Sequence, residues 1–127
     1  YTYEGALQAV PDGWRLPTDD DWKKLEETLG MSVSEINMLD EWRGSYEGDL
    51  LKEGEQGIGF NAGYAGARVY GSHMYGGFYN KDVNAYFWSA TRKVDLGITR
   101  ILFLKEDRIM RSSSKLSGAY SVRCIKE

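Results

Sequence analysis

Gly13-Trp14-Arg15-Leu16-Pro17-Thr18-Asp19-Asp20-Asp21-Trp22 is the stretch from which the rest of the chain is best read. Thr18 before three acids has the form of a helix start, with a hydroxyl N-cap, acids facing the positive end of the dipole and a carboxylate at the third position. It predicts a helix over 19–29. Trp22, Leu25 and Leu29 then form one apolar stripe, Lys and Glu cover the other side, and Gly30 supplies a left-handed stop. On this reading the cap accounts for all three acids, and calcium-ligand spacing of the EF-hand type is absent. A second cap, Ser32 with Glu35 three residues on, opens a shorter helix with Val33, Ile36 and Leu39 as its apolar row, ending before Trp42-Arg43-Gly44. A short helix over 4–9 precedes both.

From Gly54 onward helical spacing gives way to glycine, aromatics and short alternating runs. The stretch 57–77 predicts long irregular loops pinned by Phe60, Tyr64, Tyr70 and Tyr75 rather than regular strands. Strands are predicted over 86–91, over 98–104 paired through Lys105-Glu106-Asp107 with 108–111, and over 119–125. In the last, Tyr120, Val122 and Cys124 alternate with Ser121 and Arg123, which turns Cys124 inward. Helices first and antiparallel strands later describe an α+β domain.

The 127 residues, 42% of them hydrophobic, suffice for a single domain 1–127 that buries roughly two-thirds of its unfolded surface. No apolar run approaches the roughly 20 residues that span a bilayer. The start at Tyr1 rather than at methionine predicts a piece of a longer protein. Cys124 is the only cysteine, so neither an internal disulfide nor a cysteine-rich metal site is expected. The net charge of −3 is uneven: 92–126 holds nine basic against three acidic residues. Such a bias either steers an anionic partner to one side or is an ordinary set of solvated charges.

Five phrases carry a resemblance. Pro11-Asp12-Gly13-Trp14-Arg15-Leu16-Pro17-Thr18 with Asp21-Trp22-Lys23-Lys24-Leu25, then Gly59-Phe60-Asn61-Ala62, Phe87-Trp88-Ser89-Ala90-Thr91 and Gly118-Ala119-Tyr120-Ser121-Val122-Arg123-Cys124, resemble the Fibrobacter succinogenes major paralogous domain almost end to end. The resemblance implies a C-type-lectin-like α+β fold, with two main helices beside a small twisted antiparallel sheet and long glycine- and aromatic-rich loops. It also implies a secreted or surface-attached bacterial domain, often of Bacteroidetes, without established enzymatic activity. Many relatives place a cysteine where this chain has Val10; that cysteine could pair with the one in the closing strand, and here Cys124 lacks the partner.

The segment 87–124 further resembles the variable region of proteins diversified by diversity-generating retroelements. That likeness implies a kept frame of Phe87, Trp88, Ser89, Ala90, Thr91, Phe103, Gly118, Ser121, Val122 and Arg123. The exposed, ligand-binding positions it implies are Arg92, Lys93, Val94, Asp95, Leu96, Thr99, Arg100, Arg108, Met110, Ser112, Ser113, Ser114 and Lys115. The expected function is non-enzymatic, adhesin-like binding of an extracellular protein or glycan, with some negative charge on the ligand. The alternative is a spacer or assembly domain that contacts neighbouring domains of the same envelope protein. Nucleic acid is not expected as a partner, because the chain is acidic overall and carries no nucleic-acid motif.

Catalysis and metals find little support in the residues. Formylglycine-generating enzymes share the implied fold class, a similar Arg-Leu-Pro-Thr helix start and an Arg-Cys ending, but they need a pair of active-site thiols and this chain has one. His73 is the only histidine, in a glycine-rich loop, and no base lies near Ser112-Ser113-Ser114 in sequence, so no triad, metal site or cofactor is expected. Trp14, Trp22 and Trp88 read as core, and Trp42 has no assigned place. Tyr64, Tyr70, Tyr75, Tyr79 and Tyr86 serve either as a stacking platform or as pins for the glycine loops.

Overall fold

The structure is a computed structural model that describes residues 1–71 and 74–127. In chain order its elements are α1 (Tyr3–Gln8), β1 (Trp14–Arg15), α2 (Asp19–Thr28), β2 (Glu41–Arg43), α3 (Glu47–Leu51), β3 (Ala67–Gly71), β4 (Met74–Tyr79), β5 (Asn84–Lys93), β6 (Leu96–Phe103), β7 (Glu106–Lys115) and β8 (Ile125–Lys126). The capping box of α2 forms as read: Thr18 Oγ1 accepts from Asp21 N at 3.1 Å, and the Asp21 carboxylate accepts from Thr18 N at 2.8 Å.

β5, β6 and β7 form an antiparallel meander. β2 adds to the far side of β7, giving the order β2-β7-β6-β5. Three of the phrases quoted above meet on β5. Pro17 O accepts from Ala90 N at 2.7 Å and Thr91 Oγ1 accepts from Asp19 N at 2.8 Å, docking the start of α2. Ser121 brackets the same strand from the other side, donating to Tyr86 O and accepting from Trp88 N. β1 pairs with β8, which ties the two ends of the domain together.

The expected α+β, C-type-lectin-like arrangement of two main helices is overturned. Strands hold more than twice as many residues as helices, and α2 alone among the described helices exceeds six residues. The second helix fails for an identifiable reason. Ser32 O accepts from Ile36 N and Glu35 O from Met38 N, so the turn runs as far as Met38, but the next two carbonyls, of Ile36 and Asn37, are taken by buried guanidinium groups. Arg43 donates to Ile36 O and Arg111 to Asn37 O, each at 2.9 Å, while Asp40 N bonds Arg111 O and so enters the sheet register. Asp40 sits at φ 59°, which turns the chain into β2.

Three further expectations change. Part of the stretch read as loop, 57–77, forms the β3–β4 hairpin. The strand predicted over 119–125 is reduced to bridges at Ala119 and Ser121 plus β8, and Cys124 is half-buried rather than fully enclosed. Trp14, expected in the core, is 42% exposed on the β1–β8 ribbon, which is only two strands wide.

One face of the four-stranded sheet carries Ala85, Phe87, Leu102 and Ile109, packed against Trp22 of α2, Leu51 of α3, Met31 and Ile36. The same face buries a charged cluster. Arg100 bonds Glu26, and also Asp19 at 2.8 Å; Arg111 grips both oxygens of Asp19; Arg43 grips both oxygens of Glu26 at 3.0 and 2.9 Å. All five side chains are buried, Arg43, Arg100 and Glu26 completely. Over the β5 end of the opposite face lies a second apolar cluster, Tyr3 and Ala6 of α1 with Leu16, Ala67, Trp88 and Tyr120. Val10, at the position where the resemblance implies a cysteine, packs against that cluster.

Candidate ligand-binding surface

Cross-strand register places Trp42 of β2 opposite Met110 of β7, Met110 opposite Ile101 of β6, and Ile101 opposite Tyr86 of β5. Directly opposed residues share a face, so these four form one apolar rung across the sheet on the side away from α2. Tyr86 is stacked on Tyr120 with ring centroids 5.4 Å apart, and its hydroxyl accepts from Asn80 Nδ2 at 3.0 Å. The rest of the rung is differently placed. Trp42, Ile101 and Met110 are partly exposed and belong to neither apolar cluster, and Phe103 joins them with its ring 6.5 Å from Trp42.

Polar groups border this apolar strip on both sides. Ser112 lies opposite Thr99 and donates to Asp40 Oδ1 at 2.6 Å. Thr99 Oγ1 lies 3.3 Å from Ser112 O and 3.4 Å from Ser114 Oγ. On the other side Arg108 makes a two-pronged pair with Glu106, at 2.7 and 3.0 Å, and this guanidinium holds the Glu106 carboxyl below the usual carboxylate range. Aromatic and thioether surface between hydroxyls and an arginine can stack on a ring and bond its substituents. Among the described residues no group of three or more His, Cys, Asp or Glu side chains is arranged to hold a metal ion.

The thirteen positions expected at the binding surface fall in three places. Arg108, Met110, Ser112 and Ser114 alternate along β7 and face the open side. Arg92, Lys93, Val94, Asp95 and Leu96 are exposed at the β5–β6 tip, with Lys115 opposite Leu96. That tip and Arg108 lie at opposite ends of β7, roughly 20 Å apart at the rise of an extended strand. They do not form one patch. Ser113 pairs with Ile98 and points to the other face, half-buried.

Two positions are corrected outright. Arg100 is fully buried in the cluster with Asp19 and Glu26, and Thr99 is fully buried beneath Ser112 and Ser114. The expectation that the α2 cap alone accounts for three acids changes with them: Asp21 closes the cap, whereas Asp19 is a ligand of Arg100 and Arg111. Burial raises the Asp19 carboxyl, but hydrogen bonds from Arg111 and the charge of Arg100 outweigh it and hold the group well below its ordinary range.

Four of the nine basic residues in 92–126 are internal or paired, and Lys93, Lys105, Lys115, Arg123 and Lys126 are exposed. Arg100 and Arg111 are buried, Arg108 is held by Glu106, and Arg92 lies 3.8 Å from Glu4. Among the described residues the tyrosines build no single platform: Tyr64 packs beside the Trp22 cluster, Tyr79 is exposed, and Tyr86 stacks on Tyr120. His73 and the side chains of Tyr70 and Tyr75 lie outside the described residues. Sequence reasoning did not place Trp42, and it assigned Phe103 to the frame. The alternation of Glu41 and Arg43 about Trp42 was the available signal.

The fold and this surface define a mostly β protein whose four-stranded antiparallel sheet has one half-open face. The chain belongs to the Fibrobacter succinogenes major domain family, whose model matches residues 1–126. No curated protein and no solved structure matches it. No helix among the described residues is long and apolar enough to cross a membrane.

Proposed function

We propose that this domain is a non-enzymatic recognition module, carried on a bacterial surface or secreted protein, that binds a protein or glycan through the open half of its four-stranded sheet. The supporting observation is the Trp42–Phe103 pair with Ile101 and Met110: large apolar side chains gathered on a sheet face outside both core clusters. The aromatic groups supply rigid contact area, Met110 adapts its shape to a ligand, and the flanking Ser112, Ser114 and Asp40 supply orientation. The outward alternation of residues 108, 110, 112 and 114 supports reading them as the positions a diversified copy would rewrite, on a frame that includes Phe87 and Trp88.

The test is a panel of glycans and extracellular proteins probed with the wild-type domain and with Trp42→Ala and Met110→Ser. Binding by the wild type that each variant loses, with thermal unfolding cooperative in all three, is the expected result. Binding unchanged in both variants would remove this face from consideration. A panel without hits for the wild type would favour the spacer or assembly role.

A further inference from the structure

On the other side of the sheet, between α2 and the C-terminal segment, is an open cleft of about 230 Å³. Pro17, Trp22, Leu25, Phe60 and Ile125 make its surface almost wholly apolar, and Arg123 stands at its edge with the guanidinium 4.5 Å from the centre of the Phe60 ring. Except for Ile125, every lining residue belongs to one of the phrases that mark the family, so the cleft is a product of the frame and not of the segment 92–115.

Two donors here have no acceptor. Trp22 is 3% exposed, and its indole Nε1–H has no hydrogen-bond partner among the described residues. The Nε1 atom is itself closed off from solvent, so Trp22 offers the cleft its ring and not this donor. Arg123 is exposed, and its positive charge has no carboxylate partner among the described residues; it rests on Phe60 alone. Asp21 also lines the cleft, but its carboxylate is matched by Arg15 and by the N–H and hydroxyl of Thr18, so the wall it forms is internally neutral.

We infer that this cleft binds the carboxylate of a small molecule or chain end with a compact apolar body, the body lying on Pro17, Leu25 and Phe60 and the carboxylate reaching Arg123. The volume admits a body of about one large side chain. The lining offers few groups to bond the hydroxyls of a sugar and so favours an apolar body, and the unpaired cation selects an anion over a neutral or cationic analogue. This site lies across the sheet from the open face and does not depend on it.

The probe is sodium 3-phenylpropionate, titrated into the intact domain while the four tryptophan indole N–H resonances are followed by NMR; 3-phenylpropanamide and phenethylammonium serve as the neutral and cationic analogues. The expected result is a saturable shift of the assigned Trp22 indole proton in the millimolar range, with the amide weaker by about tenfold and the amine silent. Arg123→Ala should weaken the acid by about tenfold while leaving the unfolding midpoint in place, because Arg123 is exposed. A short peptide ending in phenylalanine, with free and with amidated C-terminus, separates the two sources of the carboxylate: a shift with only the free acid end assigns chain ends to the site, and its absence alongside a phenylpropionate shift assigns small acids. No saturable Trp22 shift with phenylpropionate, equal binding of acid and amide, or unchanged binding in Arg123→Ala would each overturn the inference.

Discussion

Arg100 is buried on a central strand and holds two carboxylates of α2, Asp19 and Glu26, that are 81 and 74 residues away in sequence. Removing Arg100 leaves the Arg43–Glu26 and Arg111–Asp19 pairs in place but strips a charge-assisted hydrogen bond from each carboxylate, at roughly 1.5–3 kcal/mol apiece, a loss of about 3–5 kcal/mol in all. Arg100→Ala is therefore expected to lower the unfolding free energy by about that amount in urea titration, whereas Arg92→Ala, whose pair with Glu4 is exposed on both sides, should change it by less than about 0.5 kcal/mol. Asp19 adds a pH dependence of definite sign. Its carboxyl is depressed in the folded state, so below the unfolded value of about 3.9 the unfolded chain binds more protons than the folded one. The stability Asp19 contributes is complete above that value and is lost as pH falls toward the folded one. Asp19→Asn should be less stable than wild type at neutral pH, and the two stabilities should converge in acid; parallel curves between pH 6 and pH 2 would contradict the role given to Asp19. None of this was legible locally. An arginine between Thr99 and Ile101 reads as a surface residue in an alternating strand, and only the docking of α2 supplies its counter-ions.

Elements whose stability is local were legible, and those that depend on distant partners were not. The capping box of α2, its apolar stripe and the strands around Phe87, Ile98 and Ile109 follow from neighbouring residues. The turn after Ser32 looks equally helical in sequence, yet Arg43 and Arg111 take the carbonyls of Ile36 and Asn37 at its end. At the β5–β6 tip, Val94 adopts φ 51° while 83% exposed, a conformation that costs a β-branched residue about 1–2 kcal/mol. Val94→Gly should raise the unfolding midpoint; a lowered midpoint would mean that the Val94 side chain makes contacts worth more than its strain. Three residues further along, a Cβ on Gly97 would meet the Trp88 ring at 2.7 Å and Tyr3 at 3.1 Å. Trp88 is fully buried and its indole N–H is held by Tyr1 O at 2.9 Å, so it cannot give way. Gly97→Ala should cost about 1–3 kcal/mol, read by the same titration.

The whole molecule divides its two sheet faces between different tasks. One face is sealed by α2, α3 and the charged cluster, and the opposite face is sealed by α1, Trp88 and Tyr120 only over β5. Toward β2 it stays open, with Trp42, Phe103, Ile101 and Met110 partly exposed. The five family phrases were readable as a set, and three of them meet at β5, but they describe the frame and say nothing of which side of the sheet is left uncovered. That depends on where the short β2 attaches, and the alternation of Glu41, Trp42 and Arg43 is too brief a run to stand out as a strand. The most direct test of the recognition role is a backbone and side-chain chemical-shift map of the domain bound to the strongest hit from the glycan and protein panel. Perturbations centred on Trp42, Ile101, Phe103, Met110 and Ser112 are the result this account predicts. Perturbations confined to residues 92–96 at the β5–β6 tip, with the open face unmoved, would contradict it.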